Sequence, residues 1–230
     1  MKFLLTSASI TNDSIRKALV DLLGKPIAAS KALCIPTAIY AEPEGPSFAW
    51  QEIREWGEMG WKTFGVLELT ALPSTLQEHW LPSLEAADAL LVGGGNGLYL
   101  SYWMQQSGLG EPLPMLLQEK VYVGVSAGSV LVTQSVNVNR EELEQTGVYH
   151  DDEYDETAPP NAGSDKTLGL VALTLHPHLG ADSFPAASWQ IWNNGPVLAT
   201  SIIRSKLSQF LPTSVKWYQM SKCDIAALMY

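Results

Sequence analysis

The chain has 230 residues, of which 46% are hydrophobic, with a formal net charge of −10 and two cysteines. That length suits a single domain spanning 1–230, and the acidic balance argues against nucleic-acid or anionic-membrane partners, whose phosphates it would repel. Cys34 and Cys223 are too few for a disulfide framework or a metal-ligand cluster, and no window approaches the ~18 apolar residues of a membrane span. The opening MKFLLT is too short an apolar block for a signal-peptide core. The expectation is a cytoplasmic protein with no cofactor and no metal.

Residues 2–6 (KFLLT) read as a first strand that ends in small residues. Asn12 or Asp13 is placed to cap a helix through Leu23, with Ile15, Leu19 and Leu22 on one face and Gly24 as its stop. Residues 32–35 form a second strand closed by Pro36. Residues 47–58 form a helix with Ala49, Ile53 and Trp56 at the spacing of one face. A strand over 63–69 and a short helix over 74–81, interrupted or restarted at Pro82, come next. ALLVGGGN (89–96) is a strand running into three glycines, followed by a helix with Leu98, Leu100, Tyr102 and Met104. VYVGVSAGSV (121–130) is a strand that breaks at small residues and continues as a helix. The acidic segment 141–163 lacks periodicity and reads as a long surface loop. Residues 168–175 read as an apolar strand ending at HPH, and 196–203 as a last strand. Strands alternating with helices at this spacing predict a mostly parallel sheet with helices on both faces, its functional groups collected at the strands' carboxyl ends.

Two turns fall at such ends. Gly124-Val125-Ser126-Ala127-Gly128 fits the G-x-S-x-G nucleophile elbow, in which a serine on a sharp strand-to-helix turn needs neighbours without bulk. The bland alternative is a tight turn with a capping serine. A serine hydroxyl needs an adjacent base. Of the four histidines, His79 and His150 look like surface residues, whereas His176 and His178 follow a strand directly. That pair reads as a source of a general base, since two histidines around one proline make a poor metal chelate. The GGGN turn lacks a P-loop lysine and suits oxyanion donation better than phosphate binding, the alternative being a turn that merely packs closely.

LLVGGGN, GVSAGS and LTLHPH, in that order, resemble the peptidase E group of serine-dependent aspartyl dipeptidases and their cyanophycinase-like relatives, over roughly residues 1–195. The resemblance implies a flavodoxin-like three-layer α/β/α sandwich related to class I glutamine amidotransferases. It implies Ser126 as nucleophile and His178 as base. It also implies an oxyanion or substrate-binding site formed by Ala127 with Gly94, Gly95 and Asn96. The family's acid lands near Glu141, with Glu142, Asp151 and Asp152 as alternatives. The implied activity is hydrolysis of short peptides, possible on Asp-X dipeptides, through an acyl-enzyme. The rival readings are an α/β-hydrolase esterase and an inactive binding descendant. The expected partners are a small peptide and, at most, a second copy of the chain.

Two features depart from the family. Its aspartyl-specific members pair the substrate aspartate with an arginine downstream of the histidine, and this chain has no arginine between Arg140 and Arg204, with Trp189 and Trp192 in that stretch. Beyond 204 the chain turns basic, with Arg204, Lys206, Lys216 and Lys222 against Asp224. The family's closing strands are not legible there, which predicts an open sheet edge.

Overall fold

The computed structural model describes residues 1–136, 138, 140–151, 156–157, 164–172, 174–178, 197–199, 215–216 and 226–229. Strands β1 (Lys2–Thr6), β2 (Lys31–Ile35), β3 (Thr63–Val66), β4 (Ala89–Val92) and β5 (Val121–Val125) alternate with helices α1 (Asp13–Leu23), α2 (Gly45–Gly57), α3 (Gln77–Ala86) and α4 (Gly97–Gln106). The short helices α5 (Leu113–Leu116) and α6 (Ala127–Val130) flank β5. The capping expected of α1 is observed: the Asn12 side chain accepts from the amides of Ser14 and Ile15, and Gly24 ends the helix in the left-handed conformation.

The five strands pair in parallel in the order β1-β5-β4-β2-β3. Their side chains alternate between two cores with the period of two that a pleated strand imposes. Leu4, Cys34, Leu91 and Val123 pack with Ile15 and Leu19 of α1 and Trp56 of α2. Phe3, Ile35, Leu90 and Tyr122 pack on the opposite side with Leu84 of α3 and Leu98 and Met104 of α4. The chain moves outward across the sheet with helices on one face and returns with helices on the other, as right-handed crossovers require. The α/β, flavodoxin-like, three-layer reading is therefore correct. Among the described residues no helix is long and apolar enough to cross a membrane.

The structure corrects five readings. β3 stops at Val66 and gives way to a 3-10 turn over Leu69–Ser74, while α3 runs through Pro82 because Leu84 beyond it is fully buried. The acidic segment is not all loop: Arg140–Thr146 is a helix, α7, built from good helix formers and ended by Gly147 at φ +72°. It is followed by the antiparallel pair β6 (His150–Asp151) and β7 (Glu156–Thr157). Residues 168–171 form no strand. Gly169 at φ +62° breaks the extension, and this stretch bonds back to Leu131, Val132 and Thr133. The strand is confined to β8 (Thr174–His176), paired in parallel with β9 (Val197–Ala199). Finally, β10 (Val215–Lys216) and β11 (Ala226–Met229) do close the sheet, with β11 antiparallel to β1 from Leu5↔Ala226 to Lys2↔Met229. The edge expected to be open at β1 is thus covered by an apolar strand from the divergent tail. Trp189, Trp192, Arg204 and Cys223 lie outside the described residues.

At the carboxyl end of the sheet, β5 is flanked by Thr6 of β1 and Val92 of β4, in register with Val125 and Gly124. The chain then doubles back so tightly that a Cβ on Gly128 would lie 2.1 Å from the Val92 carbonyl oxygen, and one on Gly124 would lie 2.6 Å from the Gly128 oxygen. Both contacts are with backbone, which cannot swing aside. Gly128→Ala is expected to lower stability by about 3 kcal/mol, read as a lower urea midpoint; an unchanged midpoint would show that the turn relaxes freely.

Candidate active site

Ser126 occupies the apex of this turn at φ +48° and ψ −114°, a left-handed conformation that costs a side-chain-bearing residue on the order of 1–3 kcal/mol. Surrounding bonds hold it there. Its amide donates to the Thr6 carbonyl at 2.8 Å, and its own carbonyl accepts from the Ser129 and Val130 amides. Ser129 Oγ donates to the Thr6 carbonyl at 2.8 Å and accepts from the Thr6 amide at 2.9 Å. Thr6 Oγ1 donates to the Gly124 carbonyl, and the fully buried Tyr122 hydroxyl donates to the Gly128 carbonyl at 2.6 Å. With the backbone so fixed, the Ser126 side chain is turned into a cavity of about 380 Å³. The helix expected after the elbow is short, only Ala127–Val130.

His178 enters from the end of β8, two residues past His176, the strand's last residue. It too has positive φ, +63°, and its amide donates to Ser7 Oγ at 3.4 Å. Its Nε2 lies 2.8 Å from Ser126 Oγ. Burial pushes the imidazole pKa down to about 4, so the ring is neutral near pH 7. In the tautomer protonated at Nδ1, Nε2 accepts from the serine hydroxyl. The structure therefore joins the two motifs that lie 52 positions apart in sequence.

The remaining predicted residues divide. Gly94, Gly95 and Ala127 line the cavity beside Ser126 and His178. Asn96 does not line it: its side chain caps α4 by accepting from the Tyr99 amide at 2.7 Å, and its amide donates to the Ala38 carbonyl. Glu141 is exposed on α7 and accepts from Gln145 of the same helix; it makes no hydrogen bond to the imidazole. Glu142 lies 2.9 Å from His150 Nδ1, so His150 is a half-buried hydrogen-bond partner of α7 rather than a free surface residue. Asp151 lies on β6, its side chain outside the described structure, and Asp152 is outside the described residues altogether.

One site residue had no signal in the motifs. Glu52 of α2 faces the same cavity, and its Oε2 is buried without a hydrogen-bond partner among the described residues. Burial pushes its carboxyl up to about 7; the Gly94 amide opposes this and the charge on Glu55 adds to it. Glu42 and Glu55 line the cavity as well, and no lysine or arginine does among the described residues. The helical face that carries Trp56 and Ala49 into the core hid Glu52, because a carboxylate beside apolar positions reads as a boundary residue.

Comparisons with known proteins agree with the fold. A candidate peptidase E protein from Listeria monocytogenes EGD-e superposes with a TM-score of 0.54 at 20% identity, covering 80% of this chain and 81% of that one. A peptidase from an acI-B1 actinobacterium gives 0.53 at 16% identity, covering 81% and 72%. No curated protein sequence matches the chain. The resemblance read from the three motifs has its counterpart in a family model that matches residues 3–194, which hold the elbow, His178 and all but the first residue of the strands β1 to β5: the chain belongs to peptidase family S51.

Proposed function

We propose that the chain hydrolyses short peptides by a serine mechanism, with Ser126 as nucleophile and His178 as base. The observation that carries this reading is the 2.8 Å contact between Ser126 Oγ and a neutral His178 Nε2 inside the cavity. A nucleophile and base within hydrogen-bond reach is the arrangement such catalysis needs. Ser126 Oγ attacks the scissile carbonyl carbon while its proton passes to His178 Nε2. The C–N bond then breaks as the imidazolium returns that proton to the leaving amine. Water, deprotonated by the same ring, attacks the acyl-enzyme, and the acid product leaves with the serine restored.

The developing oxyanion requires amide donors. Gly94 is partly engaged by the Glu52 carboxylate, and the Ser126 amide is spent on Thr6. The Ala127 amide with that of Gly95 is the better pair, each donor worth about 3 kcal/mol in the transition state. A cavity of about 380 Å³ is of dipeptide to tripeptide size and matches an exopeptidase better than an enzyme of long chains.

Ser126→Ala is expected to cut hydrolysis of a dipeptide panel by about 10⁴-fold or more while leaving the circular dichroism spectrum unchanged. Turnover retained by this variant discards the mechanism. The rate at which a fluorophosphonate labels Ser126 should be flat from pH 8 down to about 5 and fall tenfold per unit below about 4, as His178 takes up a proton. A midpoint near the ordinary histidine value of about 6.5 would show that the ring is not desolvated in solution.

A further inference from the structure

Glu52 is the feature of the cavity that peptide hydrolysis by Ser126 and His178 leaves unexplained. Its Oε2 is shut off from solvent without a hydrogen-bond partner among the described residues. Such a group is costly wherever it occurs, and a native fold that keeps one calls for a reason. The site is also shaped for it: a Cβ on Gly93 would lie 2.3 Å from that same oxygen, so the first glycine of the GGGN turn is the space into which the carboxylate fits. No lysine or arginine among the described residues lines the cavity to neutralise it. The rest of the wall is largely apolar, with Ile39, Phe48, Val125, Val130 and Val136, so water offers a poor counterpart to the charge.

We propose that Glu52 is the binding residue for a primary ammonium group of the substrate, which makes the preferred substrate a short peptide that carries a free amine. An ammonium supplies both what the orphaned oxygen lacks, a donor and a positive charge. Glu42 and Glu55 at the same cavity reinforce the attraction at longer range. The carboxylate sits beside Gly93, and Gly94 approaches the Ser126 side chain closely enough that a Cβ there would lie 3.1 Å from the serine Cβ. An amine held at Glu52 is therefore near the attacking hydroxyl, as the first residue of a cleaved peptide must be. This inference deepens the peptidase reading and rests on the same cavity.

Binding, not turnover, tests it, so that its failure is separate from failure of the serine mechanism. Calorimetric titration of the Ser126→Ala protein would use three ligands: alanyl-leucine, with an α-ammonium; N-acetyl-lysyl-leucine, with a side-chain ammonium; and N-acetyl-alanyl-leucine, with neither. One or both ammonium ligands should bind at least about tenfold more tightly than the neutral one, the tighter of the two identifying the amine's source. Adding Glu52→Gln should abolish that preference. Equal affinities for all three ligands, no binding of any, or a preference that survives Glu52→Gln each overturn the proposal. Loss of folding is excluded by a second measurement. The native carboxyl pKa lies above its ordinary 4.5, at about 7, so the folded state holds this proton more tightly than the unfolded chain. Wild-type stability therefore declines as pH rises through that window, and Glu52→Gln should gain in Tm relative to wild type between pH 5 and pH 8.

Discussion

Three backbone segments meet at the carboxyl end of β5 with no room for a side chain between them. Gly128 lies against the Val92 and Gly93 carbonyls, and Gly124 against Gly128 and Ser129. Because β5 runs between β1 and β4, the turn that follows it has neighbours on both sides: the Thr6–Ser129 bonds tie it to β1, Gly128 packs against Val92 of β4, and the Tyr122–Gly128 bond ties it back to β5 itself. Positive φ at Ser126 is unfavourable locally, but these bonds and the packing over-determine it. The elbow is consequently rigid, and everything that acts on a substrate is measured from its position.

The same crowding sets the electrostatics. Helices on both faces and the β8 end close over the sheet edge, so that His178 and Glu52 are both desolvated, in opposite senses: the base loses its tendency to be protonated and the acid loses its tendency to ionise. A neutral imidazole is ready to accept the serine proton. A carboxylate in the same enclosure acts strongly on whatever cation it meets, since screening is weak there. Two titratable groups with displaced pKa values in one cavity are what a functional site tends to show, and both displacements come from burial that disfavours the charged form.

The parts of the molecule that were legible in sequence are those set by local rules. Strands β1, β2, β4 and β5 announce themselves as apolar runs, α1 by its Asn12 cap and Gly24 stop, and the elbow by glycines whose necessity is steric. What misled is equally physical. Residues 168–171 are apolar enough for a strand, yet Gly169 takes a left-handed conformation and the segment packs along 131–133 instead. REELEQT is acidic enough to pass for loop, but its residues favour helix and its first-turn glutamates suit a helix start. Asn96 entered the site through the resemblance, and its side chain in the structure caps the next helix. Glu52 carried no motif at all: its meaning comes from Gly93, forty-one positions away, and only the fold brings the two together.

Specificity and reactivity are separable in this architecture. Ser126 and His178 are placed by backbone, at a turn and at a strand end, and neither lies on α2. The cavity wall opposite them is made of α2 side chains, which can change character while the elbow stays intact. The family resemblance would call for an arginine to pair with a substrate aspartate, whereas the charged side chains that line the cavity among the described residues are the carboxylates Glu42, Glu52 and Glu55, with His178. A guanidinium and a carboxylate select substrates of opposite charge. The unfavourable burial of Glu52 is then the mark of that selection: the empty site carries the desolvation cost, and a bound cation relieves it.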